Sequence, residues 1–399
     1  MPTHDLLLSR RLGASPVEIT ATVLCLTSTL GILGIAPLFI GAYVDGYRQS
    51  LRQASELVSV EVGAAILMSL YVSSKLSRVS LRRICFTGAL IGGISYCLGA
   101  ALSGFWVLCI CRAISGVGIG LIGAAVNVSV ARAKEPERLY ASALTLYAVL
   151  ETAKLFLLPQ LYGARGYWTL FVSIGLLFFI TAGASSGLNR AAVASASAAT
   201  GSPNRGLRWI LAPRVGAMLF GYFLMWIAFS MIWAFAERKA VSLSMTPGGT
   251  GATLAAANIV GLSGSVIASQ LGVRLGRFIP ILVGGLVLAS CFYLVGATPS
   301  AIVFVASIVI YGVAYFFLLP FVLGLAVQLD REGRVSVVNS MMPWVAHLVS
   351  PLLGAAVLAH GTFAAMGLIS AFTMVIAAGF VVAAVSKPTV AQSEATAVG

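Results

Sequence analysis

Residues 105–130 read FWVLCICRAISGVGIGLIGAAVNVSV, a run in which Arg112 is the one charged side chain. As an α-helix it measures about 39 Å, more than the roughly 30 Å hydrocarbon core of a bilayer. The surrounding composition is of the same kind. Of 399 residues 59% are hydrophobic and 9% are Asp, Glu, Lys or Arg, against about 25% charged in a soluble globular domain. Too few polar side chains exist to cover a soluble surface, so the apolar surplus faces lipid.

Reading outward from residue 105 for similar runs, broken by charge or by Gly/Pro/Ser clusters, predicts an all-α membrane protein with twelve transmembrane helices. The expected spans 1 to 12 are 17–43, 55–74, 84–102, 105–130, 139–161, 167–188, 215–236, 249–271, 279–296, 301–328, 335–358 and 363–385. The first run is too long for a signal-peptide core.

The net charge of +13 has the pattern of topology rather than of nucleic-acid binding, because the basic residues form short groups between apolar runs and no basic face. Eighteen Lys/Arg fall in loops on the side of the N-terminus, and five (Arg48, Arg52, Arg165, Arg238, Lys239) on the other. The positive-inside rule then puts both termini in the cytoplasm, in a cytoplasmic (inner) membrane.

Residues 189–214 include Ala-Ser-Ala-Ser-Ala-Ala-Thr-Gly-Ser-Pro-Asn, which reads as a linker. The chain divides into a six-helix bundle over 1–188, the linker at 189–214, a second bundle over 215–386 and a tail over 387–399. A repeat agrees with the division. Arg78 and Arg138 follow spans 2 and 4, and Arg274 and Arg334 follow spans 8 and 10, each at an offset of 196. Parallel six-helix halves are one way in which transporters build a site at a pseudo-symmetric interface.

Two motifs carry a family resemblance over nearly the whole chain. Arg112-Ala-Ile-Ser-Gly116-Val-Gly118-Ile-Gly120 in span 4 matches Arg-x-x-x-Gly-x-Gly. After span 2 comes Ser73-Ser-Lys75-Leu-Ser77-Arg78-Val-Ser80-Leu-Arg82-Arg83, and after span 8 comes Ser269-Gln-Leu-Gly-Val273-Arg274-Leu-Gly276-Arg277, both degenerate forms of Gly-x-x-x-Asp-Arg-x-Gly-Arg. With these motifs the chain resembles the major facilitator superfamily, in its compact twelve-helix drug and metabolite transporters. The resemblance implies two pseudo-symmetric bundles, a central cavity lined by spans 1, 4, 7 and 10, a link between Arg112 and proton coupling, and a cytoplasmic gate at Arg78, Arg82, Arg274 and Arg277. The Gly/Pro-rich span-5 motif of drug antiporters is not present.

An ionisable group at membrane depth costs roughly 2.5–3.5 kcal/mol on insertion scales, so each should be paired or face a wet cavity. Four charged residues qualify: Glu61, Arg112, Glu151 and Lys154. Counted along their helices they lie in one layer, with Glu151 one turn deeper. Spacing i, i+3 pairs Glu151 with Lys154 and leaves Glu61 for Arg112. The layer is either a proton or charged-substrate site, or a static lock. The second half offers no interior carboxylate. Span 7 instead carries Tyr222, Trp226, Phe229 and Trp233 on one face, and span 10 carries Tyr311, Tyr315, Phe316 and Phe317. These aromatics are expected either to pack helices or to line the substrate cavity. His347 in span 11 is counted with the residues that could line the cavity, and is expected to make a packing hydrogen bond rather than to relay protons.

Other patterns are set aside. Gly118-Ile-Gly120-Leu-Ile-Gly123 fits GxGxxG but lies inside an apolar helix, where small residues serve close packing. There is no GxxxxGK[ST], no Cys/His metal spacing and no nucleophile arrangement, and the six cysteines read as core. The expected protein is not an enzyme and needs no cofactor or metal. It is a monomeric secondary transporter whose partners are a small organic solute, protons and the bilayer. It works by alternating access, in efflux or in organic-acid uptake. The alternative is a non-transporting sensor or assembly factor on the same fold.

Overall fold

The computed structural model describes residues 15–73, 79–188, 212–272, 274–329 and 334–385. Nearly all of the 189–214 linker, the 387–399 tail and the gate residue Arg78 lie outside these residues. Among the described residues twelve helices are long and apolar enough to cross a membrane, and no strand is present. They are α1 Pro16–Gly34, α2 Leu51–Ser73, α3 Leu81–Ala101, α4 Phe105–Ala131, α5 Pro136–Arg165, α6 Trp168–Ala184, α7 Pro213–Ala234, α8 Pro247–Leu271, α9 Phe278–Ala297, α10 Ala301–Leu329, α11 Arg334–His360 and α12 Phe363–Ala384. They follow the twelve expected spans in order.

The two halves repeat the same packing scheme. In the first, α2 packs on α4, α3 on α4 and α6, and α1 on α5 and α6. The second uses the same scheme six helices on: α8 on α10, α9 on α10 and α12, and α7 on α11 and α12. Across the interface α5 packs on α8 and α2 on α11.

Missing Cβ atoms set these contacts. A Cβ on Gly118 would meet the Gly88 carbonyl at 2.5 Å and the Gly92 nitrogen at 2.9 Å, on α3. One on Gly120 would meet the Ala65 carbonyl of α2 at 2.5 Å, and Gly116 lies against the Glu61 backbone. Gly116, Gly118 and Gly120 of α4 therefore form a backbone-to-backbone seam.

The first span was expected to be continuous over 17–43, but it breaks. Pro37 has no N–H to continue the ladder, and Leu38 N donates to Ile35 O at 2.9 Å. A short helix, α1′ (Ala36–Gly41), resumes after Ile35, and a wider π-helical turn, Ala42–Gly46, follows. The seventh span breaks in the same place. α7 ends at Phe235 (φ −105°, ψ 8°), close to the geometry of Ile35 (φ −95°, ψ 11°), and α7′ (Ala236–Ser242) carries the helix beyond the expected end at 236.

Candidate functional site

The first half buries its charge in two pairs. Glu61 and Arg112 are 2% and 1% exposed, and Arg112 Nη1 donates to Glu61 Oε1 at 3.3 Å. The Ser115 hydroxyl also donates to that oxygen. The guanidinium carbon stands 4.1 Å from the ring centre of Tyr96 on α3 and 5.5 Å from that of Phe171 on α6, a cation–π cradle that closes the pair inside its own bundle. Arg112 Nε and Nη2 have no hydrogen-bond partner among the described residues.

The second pair stands at the edge of the bundle. Lys154 Nζ is 2.7 Å from Glu151 Oε2 and donates to Gly31 O of α1 at 3.3 Å. Its side chain is 13% exposed, against 1% for Arg112. α1 leaves room for both side chains: a Cβ on Gly31 would meet Glu151 Oε2 at 2.8 Å, and one on Gly34 would strike the same carboxylate. The sequence predicted both pairings, one from spacing and one from the partners left over, but no ion pair or hydrogen bond among the described residues joins the two pairs into one network.

The break after Gly34 ties this edge to the other half. Leu38 N turns to Ile35 O, which leaves the Gly34 carbonyl without its ladder donor. Trp233 Nε1, from α7, donates to that carbonyl at 2.8 Å. Trp233 ends the aromatic face expected on span 7, which meets the one on span 10. Phe229 lies 4.4 Å from Tyr315 and 4.9 Å from Tyr311, Trp226 lies 5.7 Å from Tyr315, and Tyr222 lies 6.2 Å from Trp226. Trp226 Nε1 and the Tyr311 hydroxyl are buried without a hydrogen-bond partner among the described residues. His347 closes the wall 5.8 Å from Trp226. Its Nδ1 donates to Pro343 O of the same helix at 2.8 Å and lies 3.1 Å from Ser230 Oγ of α7.

A pairing absent from the sequence expectations, Arg238 with Asp45, bridges the halves on the side away from the termini. Arg238 of α7′ donates to Asp45 Oδ1 at 2.8 Å and Oδ2 at 2.6 Å, and also to both oxygens of Glu237. The hydroxyl of Tyr167 donates to Asp45 Oδ2 at 3.3 Å. The hydrogen bonds from Arg238 hold the Asp45 carboxyl below its ordinary range, against the opposing effect of burial. Gly41 makes room for Glu237, since a Cβ there would strike its carboxylate. At mid-depth Asn258 Nδ2 of α8 donates to Thr152 Oγ1 at 2.8 Å and to Ala148 O at 3.2 Å on α5.

Of the expected gate arginines, Arg82, Arg274 and Arg277 are among the described residues and lie on the terminus side. Arg82 Nε donates to Leu188 O at 2.9 Å, and Arg277 donates to Gln328, so both contacts stay within one half. Arg274 is exposed.

The twelve-helix fold has parallels among solved structures. A mutant of the nucleoside transporter NupG matches with a TM-score of 0.74 and 12% identity, over 93% of this chain and 100% of that one. A bacterial homolog of the human lysosomal transporter Spinster, inward-facing and unoccupied, matches at 0.67 with 13% identity, over 93% and 96%. A D-xylose–proton symporter matches at 0.65 with 17% identity, over 92% and 97%. At these identities the likeness is one of fold. No curated protein matches the sequence. The family model of the Major Facilitator Superfamily covers residues 19–342, most of both halves, and on that match the chain belongs to the Major Facilitator Superfamily.

Proposed function

We propose that this secondary transporter carries a small organic solute with an aromatic or apolar body and one charged group, coupled to protons, between the Glu151–Lys154 edge and the aromatic wall of α7 and α10. The observation that carries the reading is the Trp233 to Gly34 hydrogen bond. It brings the end of the aromatic wall to the same stretch of α1 that covers the Glu151 carboxylate. Rings of this kind offer apolar area and cation–π contact. The free indole N–H and phenol hydroxyl supply orienting donors, and a sugar site would offer more Asn, Gln and Asp.

Lys154 is the natural partner for a substrate carboxylate. When it turns to substrate, Glu151 loses its counter-charge in an apolar surround, and taking up a proton is cheaper than leaving a bare carboxylate there. The halves rock about this level, with the termini side cytoplasmic. The same cycle serves uptake or efflux according to the gradients. Glu61 and Arg112, closed within the first half, act in this reading as a strut that makes α2 and α4 move as one body, and the terminus-side arginines Arg82, Arg274 and Arg277 border the cytoplasmic opening.

The test uses proteoliposomes loaded with an aromatic carboxylate. Glu151→Gln should lower pH-gradient-driven flux at least about tenfold while substrate-for-substrate exchange continues. Undiminished gradient-driven flux in this variant would refute the coupling role. A parallel Glu61→Gln variant tells whether the enclosed pair takes part.

A further inference from the structure

On the far side of the first half, away from the midplane, lies a cavity of about 560 Å³. That volume is in the range of small-molecule sites. Asp45, Tyr47, Arg48, Ser103, Tyr167 and Trp168 are among its lining residues. We infer that it is a second ligand site, for a small aromatic carboxylate, with Arg48 as the anion-binding residue.

The aromatic lining is fixed in place. The Tyr47 hydroxyl donates to Ala100 O at 3.0 Å, that of Tyr167 to Asp45, and Trp168 Nε1 to Arg165 O at 2.9 Å. Their polar handles are taken, so the rings present apolar surface, and Trp168 is half exposed.

The partnering of the lining charges favours an anion, since Asp45 is engaged by Arg238, which Glu237 shares, and Arg48 is left for a ligand. Both Asp45 oxygens are engaged by Arg238. Arg48 makes no hydrogen bond or ion pair among the described residues and is exposed. α4 and α6 begin at the rim of the cavity, and neither has an acidic residue in its own first turn, so both turn positive dipole ends toward it, with Asp45 the carboxylate that Tyr167 holds beside the start of α6. Arg48 also adopts φ +53°, a conformation that non-glycine residues hold at a cost and that clusters at ligand sites. Because Asp45 borders the cavity and grips Arg238 across the interface, occupancy is linked to closure of the far side. The inference rests on this cavity and not on the midplane reading.

Calorimetric titration of the full chain in nanodiscs, in a Lys154→Gln background that silences the midplane cation, tests it with salicylate and its uncharged analogue salicylamide. Salicylate should bind saturably at or below on the order of millimolar, and salicylamide about tenfold more weakly. Adding Arg48→Gln should weaken salicylate about tenfold, with Arg48→Lys recovering part of the loss. Arg238→Gln, which leaves the Asp45 charge unbalanced beside the ligand, should weaken it several-fold. Three results overturn the site: no saturable binding in the Lys154→Gln background, equal binding of the two probes, or unchanged salicylate affinity in Arg48→Gln protein that elutes as a single folded species. Unchanged affinity in Arg238→Gln overturns the link to closure.

Discussion

The two halves share one packing scheme and bury opposite chemistries. The first holds Glu61, Arg112, Glu151 and Lys154 within its long helices, while among the described residues the long helices of the second carry no acidic residue, its buried Glu237 lying on the short α7′ at the far side, and its interior is filled by the rings of Tyr222, Trp226, Phe229, Trp233, Tyr311 and Tyr315. The pseudo-symmetry lies in backbone contacts, where glycines let helices touch: Gly116, Gly118 and Gly120 on α2 and α3, and Gly261, Gly264 and Gly312 between α8 and α10. Shape is repeated and side-chain chemistry is free to diverge. A site between such halves receives charge from one wall and aromatic surface from the other.

The comparison breaks most sharply at Arg112. Arg112→Ala leaves the Glu61 carboxylate buried without its cation, a loss of about 3–5 kcal/mol, read as a fall in thermal stability of the purified protein. Replacing both Glu61 and Arg112 with leucine should recover much of that loss. If the double variant is no better than Arg112→Ala, the first half does not depend on charge pairing in this way. Next comes the junction between the walls. Gly34→Val places a side chain against Glu151 and should cost about 1–3 kcal/mol from overpacking, with a matching loss of transport, whereas Gly123→Ala, where the nearest atom to a Cβ is 3.9 Å away, should be tolerated.

A smaller effect is expected on the aromatic side. Trp233→Phe keeps the ring stack and removes one hydrogen bond, a loss of about 1 kcal/mol, visible as faster labelling of a cysteine placed at Ala234. The smallest belongs to Asp45. Its folded pKa lies below its unfolded value, so its contribution is present above the ordinary carboxylate pKa of about 3.9 and is lost as pH falls through the depressed value. The carboxylate is partly exposed, so solvent screening keeps the contribution well under about 1 kcal/mol. Stability against pH should show a shallow acid limb that disappears in Asp45→Asn.

What the sequence revealed and what it hid follow from the range of each interaction. Span count was legible because hydrocarbon thickness fixes length. Glu151 with Lys154 was legible from i, i+3 spacing, and Glu61 with Arg112 because few groups at that depth could balance each other. The rings at 222, 226, 229 and 233 declared a common face. The grip of Arg238 on Asp45 was not legible, since the partners are 193 residues apart and Asp45 falls in what read as a loop. Opposite charges at equivalent ends of spans 1 and 7 were the available signal. Pro37 was a sign of bending, but the place where the ladder opened, and what would cap it, depended on a residue of the other half.

The freed carbonyl of Gly34 has a consequence for how this protein can change over generations. Its acceptor is a peptide oxygen, which no codon change can remove, so the fastening between the halves can be retuned only from the indole side. The two partners are therefore unequal under mutation: a change at position 233 can remove the donor, whereas the oxygen it meets persists through every substitution that leaves the break after Gly34 in place.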